Sequence, residues 1–193
     1  MRSSYRFFAP LVALAACGAA LAQAPDYKNV GRAPTEQEIR AMDIAIGTDG
    51  KELPSGSGTA KEGARIYKAK CEVCHGANLE GSPTAPALVG GKGTLTSLHP
   101  QMTVGSYWPF ATTIFDYIRR AMPRYQEGSL SADEVYSLAA FVLYRNDIIK
   151  EDDVIDATTL PKIKMPNRDG FVPQNLDEIH DWKKRGCMLG HCP

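Results

Sequence analysis

The chain has 193 residues, 44% of them hydrophobic and 23% charged, with 22 basic and 22 acidic side chains. That length allows one domain with extensions, or two very small ones. Balanced charge and the lack of a long basic run exclude the electrostatic footprint of a nucleic-acid binder, so no nucleic-acid partner is expected.

Arg2 and Arg6 open the chain, a largely apolar run follows from Phe7 to Leu21, and Ala20-Leu21-Ala22 closes it. A positive start, an apolar middle and a small-residue end make an export signal, cut after Ala22. Residues 1–22 are thus expected to be a signal peptide, and the mature protein periplasmic. The apolar run is too short and alanine-rich for a permanent span, so no transmembrane segment is expected in the mature chain. Leu14-Ala15-Ala16-Cys17-Gly18 offers a second reading, a lipoprotein signal with Cys17 carrying the lipid. The apolar residues after Cys17 favour soluble release.

Residues 23–57 read as an extended arm with one short helix. Thr35 and Glu38 form a capping box leading into Ile39 to Met42. Residues 47–58, rich in Gly, Ser, Asp and Pro, mark a loop. Thr59 and Glu62 form a second box, and Ala60, Gly63, Ala64, Tyr67 and Cys71 fall on one helical face.

That face leads into Cys71-Glu72-Val73-Cys74-His75. Two thiols at this spacing, followed at once by an imidazole, are the pattern for covalent haem c attachment. The thiols bond the porphyrin vinyl groups, and His75 becomes the proximal iron ligand. Zinc would need four ligands, and no second pair lies at a zinc-like distance. A thioredoxin-type dithiol would sit in a βαβ pattern, which is missing. No second haem motif occurs, so one haem is expected.

Residues 76–100 are rich in Gly, Pro, Ser and Thr, a long loop that a haem could serve as core. A third helix is expected from about Trp108 to Ala121, with Pro109 in its first turn and Phe110, Ile114 and Ile118 in a stripe. Met122-Pro123 stops it. Met122 is the first candidate for the sixth iron ligand, since a thioether favours ferrous iron in electron carriers. Simple core packing is the other role for such a methionine. Met165, Met102 and His99 are the rival ligands. Tyr107 and Trp108 would wall the haem or bond a propionate, or be ordinary buried aromatics. Arg119 and Arg120 would pair with propionates, or complement a helix end.

Ser131 and Glu134 form a third capping box, opening a helix with Val135, Leu138, Ala139, Phe141 and Val142 inward and an end near Asn146. Residues 148–193 are a polar tail with isolated apolar anchors, expected to wrap the domain. Cys187 and Cys192 suit a disulfide in an oxidising compartment, with a metal or redox site including His191 as the alternative. His180 reads as a surface residue, and Lys183, Lys184 and Arg185 as a solvated cluster able to steer an acidic partner.

Over residues 58–147 the chain resembles the class I cytochromes c. The match rests on Cys71, Cys74 and His75, on Gly63 and Tyr67 before them, on Pro86 and Leu88 after them, and on Leu138 and Phe141. The resemblance implies an all-α fold whose first and last helices cross near Gly63, with haem in a loop-lined crevice. It also implies that the Pro86 carbonyl accepts the His75 N–H. A narrower resemblance is to the cytochrome subunits of Sox-type sulfane and sulfite dehydrogenases. It rests on Gly31-Arg32, Leu53-Pro54 with the following Gly-Ser-Gly, and Gly105-Ser106-Tyr107-Trp108-Pro109-Phe110-Ala111-Thr112-Thr113. Asp116-Tyr117-Ile118-Arg119-Arg120-Ala121-Met122-Pro123 and Met165-Pro166-Asn167-Arg168-Asp169-Gly170-Phe171 complete it. It implies a molybdenum-cofactor subunit as electron donor, a downstream cytochrome c or oxidase as acceptor, and Met122 as ligand. Larger members carry two haem domains where this chain has one.

The expected protein is a monohaem electron carrier, not an enzyme by itself. The alternative is a haem enzyme acting directly on a small sulfur compound such as thiosulfate, or a peroxidase. A third reading is a binding protein with Cys71 and Cys74 in a disulfide and no haem.

Overall fold

The computed structural model describes residues 30–172. The signal segment with Cys17, and the Cys187, Cys192, His180, His191 and Lys183–Arg185 readings, lie outside the described residues. The chain divides into two units, one through Asp43 and one from Ile44. In the first, helix α1 (Glu36–Met42) opens on the expected box: Thr35 accepts from the Glu38 N–H, and the Glu38 carboxylate accepts the Thr35 N–H at 2.8 Å. Every residue of α1 is exposed, as are its caps Thr35 and Asp43, so this helix rests on capping rather than on burial.

The second unit holds β1 (Ser57–Gly58), α2 (Ala60–Lys70), α3 (Glu72–His75), α4 (Ala111–Ala121), α5 (Ala132–Arg145) and β2 (Ile155–Asp156). A short 3₁₀ turn, Leu160–Lys162, follows. Both remaining capping boxes form, at Thr59 with Glu62 and at Ser131 with Glu134. Each satisfies two backbone N–H groups that a helix start leaves orphaned. Thr59→Ala is expected to cost about 1 kcal/mol, read as a lower urea midpoint.

α2 crosses α5 at Gly63. A Cβ there would overlap the Ser137 carbonyl oxygen and lie 2.7 Å from Phe141 Cβ. Only a hydrogen fits, so the two backbones pack directly. Beside the crossing, the Tyr67 and Phe141 rings sit 5.2 Å apart. This is the crossing near Gly63 that the resemblance implies, and among the described residues the architecture is all-α apart from one two-stranded ribbon.

Two differences from the sequence reading have physical causes. α4 begins at Ala111, not near Trp108, because Phe110 is extended and bridged to Lys164, with the Arg168 guanidinium 4.0 Å above its ring. Pro109 therefore precedes the helix. α5 buries every residue from Val135 to Leu143 rather than one face. α2 covers one side, α4 a second, and the segment after residue 148 a third. That segment sends Ile155, Leu160 and Met165 into the core, and β2 pairs antiparallel with β1 through Gly58 and Ile155.

Buried Asp116 on α4 ties this helix to the chain before it. Its carboxylate accepts from the Ile46 N–H at 2.8 Å and from Arg120 Nε at 2.8 Å. The Arg120 guanidinium, then the Ile46 amide, hold its pKa below the usual carboxylate value against the opposing effect of burial. A depressed folded-state pKa adds stability above the unfolded value, and that stability is lost as pH falls through the folded value. Asp116→Asn should cost about 1 kcal/mol at pH 7 and less at acid pH, measured by urea melts at both.

Candidate functional site

α2 ends at Cys71, whose N–H donates to the Tyr67 carbonyl at 2.8 Å. One further turn of helix, α3, starts there. The Cys71 carbonyl accepts from the N–H groups of Cys74 at 3.1 Å and His75 at 3.0 Å. Residues three and four apart share a helical face, so both thiols and the imidazole gather on one side of the turn. Neither thiol is in a disulfide. Burial pushes the Cys71 thiol up to about 11. A redox dithiol has the opposite shift, towards the thiolate.

The loop after His75 folds back on the turn. Gly76 takes φ +80° and ends α3, and a Cβ on it would press into the Glu80 carboxylate, 2.5 Å from its carbon. Ser82 and Ala85 pair in a bridge, and the Leu88 N–H reaches the carbonyl of fully buried Leu79 at 2.8 Å. This brings the Pro86 carbonyl 3.0 Å from His75 Nδ1. A carbonyl only accepts, so Nδ1 carries the proton and Nε2 keeps its lone pair for a metal. Asn146, at the end of α5, holds the far side of the loop by donating to the Leu88 carbonyl at 3.0 Å.

Met122 caps the C-terminus of α4, its N–H bonded to the Ile118 carbonyl at 3.0 Å and its residue half-buried. Met165 is 1% exposed and belongs to the core, whereas Met102 is 59% exposed and His99 is exposed. Tyr107 stacks edge-on with Phe171, and its carbonyl accepts from Asn167. Trp108 lies edge-on to Tyr117 with centroids 5.7 Å apart. The Arg120 fork is occupied by Asp116, and Arg119 donates to the Ile44 carbonyl at 3.3 Å. The structure therefore brings Cys71, Cys74, His75 and Pro86 together, and gives both arginines protein partners.

A family model described as cytochrome c oxidase, cbb3-type, subunit III matches residues 58–142. A chain in the crystal structure of the sulfane dehydrogenase SoxCD from Paracoccus pantotrophus is 36% identical, with a TM-score of 0.74 over 86% of this chain and 83% of that one. No curated protein is significantly similar to the chain. The chain belongs to the c-type cytochromes.

A c-type cytochrome is an electron-transfer protein that holds its haem covalently, and the residues on the α3 turn fit that group. Two unpaired thiols stand beside an imidazole whose free nitrogen is Nε2. Among the described residues no three His, Cys, Asp or Glu side chains gather as a metal cage. Among the same residues no helix of the cytochrome is long and apolar enough to cross a membrane.

Sequence reading missed two hydroxyls at this site. The Tyr67 phenol, expected only as core, donates to the Gly76 carbonyl at 2.7 Å, and Ser82 Oγ donates to the Cys74 carbonyl at 2.6 Å. For Ser82 the one available signal was its place in a Gly-Ser-Pro turn just after the motif.

Proposed function

We propose that this cytochrome carries one haem c on Cys71 and Cys74, with His75 and Met122 as axial ligands. It would pass electrons from a molybdenum-cofactor sulfur dehydrogenase subunit to a downstream cytochrome c or oxidase in the periplasm. The observation that carries the site is the 3.0 Å contact of His75 Nδ1 with the Pro86 carbonyl, on the same turn as both thiols. It presents Nε2 outward in one tautomer and raises the ring's basicity. When bound, the haem supplies a one-electron ferric–ferrous couple. The chain's part is to grip it covalently, orient the imidazole and offer a soft sixth donor. Met122 is favoured for that donor because it is half-buried at a helix end, while Met165 is committed to the core.

The donor assignment is supported by the likeness to a chain of a sulfane dehydrogenase. Its test is co-purification of the tagged, exported chain from periplasm. A molybdenum-containing subunit that reduces the cytochrome on addition of sulfite or a sulfane-sulfur compound is expected. Turnover of such a compound by the single chain alone would replace this reading with that of a haem enzyme.

Met122→His tests the sixth ligand. Imidazole favours ferric iron more than thioether does, so the potential should fall by about 0.1–0.3 V, part of the roughly 0.8 V range that axial ligands command. The optical signature of an iron–methionine bond should vanish. Its persistence in the variant would pass the role to another methionine.

A further inference from the structure

Three consecutive carbonyls surround the imidazole-bearing residue, and each is held by a donor from outside the α3 turn. The Cys74 carbonyl accepts from Ser82 Oγ at 2.6 Å. The His75 carbonyl accepts from the Gly81 N–H at 2.8 Å. The Gly76 carbonyl accepts from the Tyr67 phenol at 2.7 Å. A single helical turn normally leaves its last carbonyls to solvent or to a short cap. Here all three are fastened, two of them by side-chain hydroxyls.

The two hydroxyls come from different places. Tyr67 is 3% exposed, and its ring is wedged against Phe141 at the crossing of α2 and α5. Its position is thus fixed by the helix pair. Ser82 stands in the loop itself and also receives the Thr84 N–H at 3.1 Å, while its own N–H bonds the Ala85 carbonyl at 2.8 Å. Next along this hairpin is Pro86, the residue that contacts His75 Nδ1. Gly81 leaves no slack, because a Cβ there would lie 2.5 Å from the Ala87 nitrogen. Ser82 therefore links the backbone of the thiol turn to the hairpin that presents the Pro86 carbonyl. Tyr67 links the other end of the same turn to the helix core.

We infer that Tyr67 and Ser82 are positioning residues for the axial imidazole, setting the length of the His75–Pro86 hydrogen bond and through it the reduction potential. This rests on the haem reading above. A short bond from Nδ1–H to a carbonyl makes the ring a stronger donor and stabilises ferric iron. Releasing either clamp lets the turn and the hairpin drift apart, weakens that bond and raises the potential.

The test uses the full chain matured with haem. Tyr67→Phe and Ser82→Ala should each raise the potential, and the double variant should shift the equilibrium constant for reduction by about tenfold, which is ~59 mV for one electron. Exchange of the His75 Nδ1 proton, followed by NMR in the ferrous protein, should be faster in both. Ser82→Thr keeps the hydroxyl and should restore both values. Tyr136→Phe is the control: it deletes an equally buried phenol bonded to the Pro54 carbonyl at 2.8 Å, away from the turn. It should lower the melting temperature and leave the potential alone. Variants that melt earlier but keep the wild-type potential and exchange rate would reduce both hydroxyls to fold support and overturn the inference. Should Tyr67→Phe fail to mature, Ser82→Ala with its threonine rescue decides alone. A wild-type chain without covalent haem overturns the haem reading along with this one, whereas haem with unmoved potentials overturns only this one.

Discussion

Gly63→Val should cost about 3 kcal/mol or more, the upper range for forcing bulk into a packed core. Even a first added carbon overlaps the Ser137 carbonyl oxygen, and it meets Phe141 Cβ at 2.7 Å. Neither neighbour can yield cheaply. Ser137 is backbone in the middle of α5, and Phe141 is pinned against Tyr67. The helices must separate, and the Tyr67–Phe141 contact opens with them. For a chain of this size each kcal/mol lowers the melting temperature by about 2–4 °C, so a fall near 10 °C is expected by circular dichroism. Ala69→Val, on the exposed side of the same helix, controls for β-branching and should change little. Equal melting of the two variants would mean that α2 and α5 do not cross where the glycine places them.

The second large effect concerns the thiols. Cys71→Ala with Cys74→Ala should yield an exported chain with no thioether-bound haem. Intact mass would equal that of the bare polypeptide, and a denaturing haem stain would be blank. His75→Ala, with both thiols kept, separates attachment from ligation. Any haem it retains should lack the low-spin spectrum of a doubly ligated iron, because the imidazole donor is gone. Covalent haem surviving in the double cysteine variant would remove the α3 turn as its attachment point, and with it the proposed role of His75.

Much of this was legible along the chain because the determinants are local. A capping box needs residues three apart, and all three boxes expected from Thr35, Thr59 and Ser131 form. The haem motif is likewise a single helical turn, so its spacing already implies that Cys71, Cys74 and His75 share a side. The start of α4 was not legible, because Phe110 is held extended by Lys164 and Arg168, residues far along the chain. Nor was the pairing of Arg120 with Asp116 anticipated. The i,i+4 spacing allowed it, but only the buried Ile46 amide shows why the carboxylate is there. In the same way, Met122 and Met165 look alike as Met-Pro dipeptides, and only burial separates them.

The amino-acid order alone determined the three capped helix starts, the turn that gathers two thiols and an imidazole, and the membership of the c-type cytochromes that these residues announce. Each of those depends on neighbours within one or two turns, where backbone geometry leaves few choices. Tertiary structure decided which tautomer His75 holds, through the Pro86 carbonyl, and which hydroxyls grip its turn. It also decided that α5 would be enclosed on every side by chain from before and after it. Those outcomes follow from contacts that form only once distant segments have already been brought together by burial of the core.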